Sequence, residues 1–227
     1  MKRNLLALAL VAALTAGCGD GTDGGGEGRL RLVHLSPDTG PVDIVLDGDT
    51  VARALAYGTA SDYLDASAEG HTIQVSAAGT TNTLLDEDVN VADATDYTVM
   101  VADTAASLKL IVLTDDNSPP PAGKIKVRAV HASPHAGHVD VYVTTPDDVL
   151  TGATPVLTDV QFGQFSPYLD ADEGTYRVRV TPKGHTDVLL IDSGDLFLQT
   201  GQVRTVIAVD APGGGGPFSI LMLSDRD

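Results

Sequence analysis

Four side chains near the middle of the chain, His131, His135, His138 and Asp140, are of the types that bind zinc, whose common protein ligands are imidazole nitrogens and carboxylate oxygens. His131 also precedes Ser133 by two residues, so histidine, serine and Asp140 together offer the residue types of a hydrolytic site. A nucleophilic serine normally sits on a sharp, exposed turn, whereas here Pro134 follows it directly and no ordered triad is visible. The metal set is uneven along the chain as well. An earlier stretch, Val33-His34-Leu35-Ser36-Pro37 followed by Asp43, repeats the same text but carries Asp38 and Pro41 where the later one has His135 and His138.

That repeat defines the elements that must position these residues. Val33-His34-Leu35-Ser36-Pro37 leads to Val42-Asp43-Ile44-Val45, and Val130-His131-Ala132-Ser133-Pro134 leads to Val139-Asp140-Val141-Tyr142. Alternation predicts a strand that places Leu30, Leu32 and His34 on one face, and a matching strand that places Ile125, Val127, Ala129 and His131 on one face with Lys126 and Arg128 pointing away. Both histidines therefore fall on the core side. A buried ring at a strand end, bonded to backbone of the Ser-Pro turn, explains a duplicated histidine better than a metal does. Proline ends the strand in each copy, at Pro37 and Pro134. Asp43 and Asp140 are expected to bind amides of the preceding loop, which leaves His135 and His138 as a surface loop of the second copy.

The remaining text repeats in order. Tyr57-Gly58-Thr59-Ala60-Ser61-Asp62-Tyr63-Leu64 corresponds to Phe162-Gly163-Gln164-Phe165-Ser166-Pro167-Tyr168-Leu169, a turn expected to cross one end of the domain. Its tyrosines, Tyr63 and Tyr168, suit packing with a hydrogen-bonded hydroxyl better than display to a glycan, because aromatic residues are scarce at 4%. Between Asp140 and Tyr168 the second copy holds eight more residues than the first does between Asp43 and Tyr63, which lengthens its hairpin. Asp47-Gly48 marks a tight hairpin turn in the first copy. Seven short strands per copy predict an all-β chain of two tandem antiparallel β-sandwich domains, immunoglobulin-like or transthyretin-like. The expected boundaries are 29–114 and 124–227, joined by the proline-rich linker 115–123 with the domains end to end rather than fused in one core.

The amino terminus reads differently. Lys2 and Arg3, a short apolar run ending at Ala16, and Gly17-Cys18 resemble a bacterial lipoprotein signal, although Thr15 stands where leucine is usual. The resemblance implies cleavage after residue 17, lipid on Cys18, the only cysteine, and a glycine-rich tether over 18–28. It also implies export and membrane attachment, to the outer membrane if the source has two, since Gly19 is not the aspartate linked to inner-membrane retention. A formal net charge of -17 argues against nucleic acid as a partner. No phosphate loop and no EF-hand spacing occurs, and no cofactor is expected.

The run from Arg128 through Val143 closely resembles the signature of bacterial exported proteins grouped as domain of unknown function 4397, and Leu32 to Leu46 resembles it in the first copy. Members commonly carry aspartate after the proline; Asp38 keeps it and His135 departs from it. The resemblance implies an exported or cell-surface β domain, often repeated, and transfers no catalytic activity. The function expected is a non-enzymatic lipoprotein that displays tandem sandwiches for binding to an envelope protein or glycan, or for structure. The alternative is a metal-dependent or hydrolytic envelope enzyme built on the second-copy histidines.

Overall fold

The computed structural model describes residues 25–227, so the signal segment 1–17 and the expected lipidation site Cys18 lie outside the described residues. Those residues form strands and no helix. The first eight strands are β1 (Glu27–Leu35), β2 (Val42–Leu46), β3 (Asp49–Leu55), β4 (Ala60–Ser67), β5 (Gly70–Ala77), β6 (Thr83–Asn90), β7 (Asp96–Ala102) and β8 (Lys109–Asp115). The second eight are β9 (Lys124–His131), β10 (Val139–Thr144), β11 (Leu157–Val160), β12 (Leu169–Asp172), β13 (Gly174–Pro182), β14 (Ile191–Leu198), β15 (Val203–Val209) and β16 (Ser219–Arg226). Each set builds two four-stranded sheets in the same order, β4-β1-β7-β8 with β3-β2-β5-β6, then β12-β9-β15-β16 with β11-β10-β13-β14. Neighbouring strands are antiparallel except β1 with β7 and β9 with β15, which run parallel.

The expected fold class, all-β with two tandem sandwiches, is what the chain adopts. Each copy has eight strands instead of seven. Ala60–Ser67 and Leu169–Asp172, read as part of an end-crossing turn or its sequel, instead pair antiparallel with β1 and β9. Asp47 and Gly48 both have positive φ, as the tight turn between β2 and β3 requires.

The first core lies between its two sheets, where Leu30, Leu32 and Val99 meet Ile44, Ile73 and Val75, all buried. β7 is buried along both faces, which is why its sequence Tyr97-Thr98-Val99-Met100-Val101-Ala102 is nearly continuous in apolar residues. Val99 and Val101 face the first core. Met100 and Ala102, with Val33 and Leu35 of β1, face a separate cluster that includes Val130, Ile207, Val209 and Leu223 of the second module. The modules thus share an apolar core between β1/β7 and β9/β15, which corrects the expected end-to-end arrangement.

At one end of this shared core two buried cations cross between modules. Arg31 Nη2 donates to Asp225 Oδ1 at 2.6 Å, and its Nη1 to the Ser224 carbonyl at 3.1 Å. Arg128 Nη2 donates to Asp115 Oδ1 at 2.6 Å, and its Nη1 to the Thr114 carbonyl at 3.0 Å. Every carboxylate oxygen is used: Thr98 and Tyr63 donate to Asp115 Oδ2, while Thr205 and Tyr168 donate to Asp225 Oδ2. Each arginine also lies over its own module's tyrosine ring, Arg31 at 4.9 Å from Tyr63 and Arg128 at 4.5 Å from Tyr168. Lys126 and Arg128 point away from their own module's core, as expected, and are buried because linker residues and the first module cover that outer face.

The linker folds in with them. Lys126 Nζ is held by the Asp116 carboxylate at 2.8 Å and by the Ser118 carbonyl at 2.9 Å, so 115–118 is a docked segment rather than a spacer. The expected tether also ends earlier than residue 28. β1 starts at Glu27, and Gly28 packs so closely on Val91 and the Thr95 carbonyl that a Cβ there would come within 2.6 Å of both.

Candidate functional site

The repeated histidines close the corner after β1 and β9. His34 Nε2 donates to the Gly40 carbonyl at 2.8 Å, and its Nδ1 accepts from the Ser36 amide at 3.4 Å. His131 repeats this with the Gly137 carbonyl at 2.8 Å and the Ser133 amide at 3.3 Å. Gly40 and Gly137 carry positive φ, which glycine accepts without strain and which turns each carbonyl back onto the ring. Donor on one nitrogen and acceptor on the other define a neutral ring. Burial accordingly holds both imidazoles below their ordinary pKa, against the carbonyls that favour the charged form. The edge of Tyr57 meets His34 at 6.0 Å, and the Tyr57 hydroxyl donates across the module boundary to the Asp210 carbonyl at 2.8 Å. Burial and the nearby Asp210 charge push that phenol up to about 12.

Asp210, which follows β15, is a residue that the sequence reading missed. Its side chain is fully buried. Ser133 Oγ donates to Asp210 Oδ1, His135 Nδ1 to Oδ2, and the Gly215 amide to Oδ2 at 2.9 Å. Serine, histidine and aspartate do meet in the second module, but the carboxylate stands between the other two. In nucleophilic catalysis the histidine must stand between serine and carboxylate to take the serine proton. Here Ser133 spends its proton on Asp210. A sequence signal existed, since Ala102-Asp103 and Val209-Asp210 end equivalent strands. In the first module, however, Asp103 pairs with Lys109 at 3.1 Å, and Ser36 reaches Asp38 at 3.5 Å.

The remaining candidates bond to strands and turns away from the His131 corner. Asp43 accepts from the amides of Ala54 and Gly79 at 2.7 and 2.9 Å, and Asp140 from those of Asp159 and Gly184 at 2.9 and 2.8 Å. The expected chemistry is right and the expected loop is wrong. The amides belong to the return strand and to the next hairpin, and Ala54 and Asp159 are positive-φ residues whose amides would otherwise lack a ladder partner. These bonds hold the Asp43 carboxyl below its ordinary pKa. His138 bonds Asp159 at 2.7 Å, beside Lys183 at 2.6 Å from the same carboxylate. The proposed metal ligands do not converge on one point: His131 bonds the Gly137 carbonyl, His135 the Asp210 carboxylate, His138 the Asp159 carboxylate, and Asp140 the amides of Asp159 and Gly184. Among the described residues no group of three or more His, Cys, Asp or Glu is arranged to hold a metal.

The two modules differ most at the edge formed by β11 and β12. Phe165 stands where the first module has Ala60, and it is 53% exposed beside a shallow hollow of about 460 Å³ lined by Leu157, Val160, Gln164 and Ser166. Behind this edge, an apolar slot of about 260 Å³ enters between the two sheets of the second module.

A family model described as Domain of unknown function (DUF4397) matches residues 28–142 and 143–227, together nearly all of the described chain. The chain belongs to the DUF4397 family. The break between matched segments falls inside β10, so it differs from the structural repeat, which divides between β8 and β9. In this DUF4397 chain His135 stands where the first copy has Asp38, and the carboxylate it meets is that of Asp210. No curated protein matches the chain. Among solved structures, a streptococcal family 41 carbohydrate-binding module described for alpha-glucan recognition shares 12% identity at TM-score 0.27, with 85% of this chain and 95% of that one covered. A family 26 carbohydrate-binding module from Eubacterium rectale Amy13K, solved with maltoheptaose, shares 9% identity at TM-score 0.28 and covers 88% of this chain and 98% of that one.

Proposed function

We propose that this DUF4397 protein is a non-enzymatic, lipid-anchored envelope protein that binds a protein or glycan partner at the open edge of its second module. The observation that carries the reading is Phe165, a large aromatic side chain left half exposed beside a hollow at a position where the duplicate has alanine. Aromatic side chains supply contact area at low conformational cost and are enriched in binding surfaces. The shared core and the crossed arginine pairs give that surface a rigid support. The hydrolytic or metal-dependent alternative has no such support, because its residues are spent on one another or on backbone.

The anchor rests on the amino-terminal text, with Lys2, Arg3, the apolar run and the single Cys18. Native envelope extract and a glycan array presented to the immobilised protein should each be compared with Phe165→Ala. A partner should be retained by the parent and lose affinity about tenfold or more in the variant, at an unchanged unfolding midpoint. Equal retention by the variant removes the reading. In detergent phase partition, the parent should enter the detergent phase and Cys18→Ser the aqueous phase; a parent found in the aqueous phase removes the anchor.

A further inference from the structure

The slot between the sheets of the second module has a cause that can be read residue by residue. In the first module Leu30 and Leu32 project from β1 and are 1% exposed, filling the space against Ile44 and Ile73. The equivalent residues of β9 are Val127 and Ala129, which remove a methylene and a whole branched side-chain end from the same place. The opposing sheet does not close in to compensate. The buried cluster of the second core holds Val139, Val141, Val180 and Ile191, against eleven residues in the first, while Ile125, Leu198 and Val206 are buried along the slot itself. A space of about 260 Å³ remains. A dry apolar cavity of about 150 Å³ is enough to take benzene, and this one has room for roughly nine water-sized groups.

The lining specifies the chemistry. Val127, Ala129 and Val206 form one wall, and Val141, Val178 and Leu198 the other. The polar side chains at its margin are already satisfied: Ser166 Oγ accepts from the Ala129 amide at 2.9 Å and donates to the Pro167 carbonyl at 2.7 Å, and the Tyr176 hydroxyl donates to the Asp172 carbonyl at 2.6 Å. A sugar or peptide group inside would bury its own donors unpaired. The two edge strands that flank the slot, β11 and β12, are four residues each, whereas their counterparts β3 and β4 have seven and eight. The opening therefore lies at that edge, where Leu169 and Val156 are each 50% exposed. Asp170, on the same edge strand, is exposed beside that opening.

We propose that the second module binds a single linear alkyl chain in this slot, with an uncharged or cationic head group left outside beside Asp170. The inference goes beyond the surface contact assigned to Phe165 and does not require it. The chain could come from a free amphiphile or from acyl groups on the protein's own Cys18, and the experiment separates the two.

The probes are n-octanol and octanoate, titrated by calorimetry into the full chain carrying Cys18→Ser and, separately, into the acylated full chain in nanodiscs. Saturable n-octanol binding to the Cys18→Ser chain, at least tenfold tighter than octanoate, is the expected result. Ala129→Leu restores the residue of the first module and should lower n-octanol affinity at least tenfold while the unfolding midpoint holds or rises. Asp170→Lys, at an exposed position, should raise octanoate affinity and leave n-octanol unchanged, which keeps the test open if Ala129→Leu misfolds. Loss of n-octanol binding in the acylated chain alone assigns the site to the protein's own acyl chain; binding in both forms assigns it to an external amphiphile. Absence of saturable binding to the Cys18→Ser chain, or affinity untouched by a folded Ala129→Leu, overturns the proposal.

Discussion

The two modules keep the same frame and fill it differently. Both retain the histidine corner, the aspartate that braces the return strand, and the arginine that crosses to the other module. The first is packed by Leu30 and Leu32, whereas the second has Val127 and Ala129 around an open slot and carries its longer hairpin at the same edge. The difference teaches where tolerance lies. A sandwich supported on one side by a shared core can keep its sheet pairings while its private core is hollowed.

Breaking the symmetric part should cost most. Asp115→Ala and Asp225→Ala each strand a buried arginine, so each should destabilise the chain by about 3–5 kcal/mol in urea unfolding. The two costs should be similar, and unfolding should be one cooperative transition. A large inequality, or separate transitions for the modules, would break the quasi-equivalence. Next, the asymmetric part: Leu32→Ala should cost about 2–5 kcal/mol, because it makes in the first module the cavity that the second already has. Ala129→Leu should cost nothing or add up to about 1 kcal/mol. Matching losses from the two would mean that the slot is not space available to a side chain.

The third comparison concerns equivalent aspartates. Asp210→Asn disturbs a fully buried carboxylate with three donors and should cost about 1–3 kcal/mol, whereas Asp103→Asn, paired with the half-exposed Lys109, should cost about 0–1 kcal/mol. The smallest effect is on pH dependence. His34 and His131 have folded-state pKa values below the unfolded value of about 6.5, so the unfolded chain binds more protons and stability falls as pH drops through that value. His71 runs the other way: burial opposes its charge, but the bond to Asp47 at 2.5 Å, the Ser67 carbonyl and the charges of Asp47 and Glu69 together raise its pKa. Its contribution is complete below about pH 6.5 and is lost as pH rises through the folded value. The second module has Tyr176 at that position. Thermal melts between pH 8 and pH 5 should therefore steepen toward acid in His71→Gln and flatten in the His34→Gln, His131→Gln double variant. The same slope in all three would remove these rings as the cause.

The duplication and strand phase of Leu30, Leu32 and His34 were legible because they are local and repeated. β4 and β12 were not, since edge strands such as Ala60–Ser67 bury little beyond Ala66 and read as turn text. The shared core left a trace that alternation alone obscures: Val33 and Leu35 are apolar in the opposite phase from Leu30 and Leu32, as a strand buried on both sides requires. The burial of Arg31 and Arg128 could not be read locally. Arg31 meets its carboxylate 194 residues away, and only the topology brings the two together. The Ser133-Asp210-His135 order was hidden for the same reason. Residue types suggested chemistry, and the carboxylate that decides their roles lay 77 residues beyond the serine.

Crossing of the two arginine pairs also bears on the order in which the chain can mature. Arg31 belongs to the first strand, and its 2.6 Å partner Asp225 to the last. A chain emerging from its amino terminus would hold that cation without this partner until the sixteenth strand was out. The first sandwich can gather its own two sheets early, but the face it shares with its twin is completed only by the final strand. Contacts this distant in sequence slow folding, so synthesis and consolidation are separated in time, and a segment made first is among the last to be sealed.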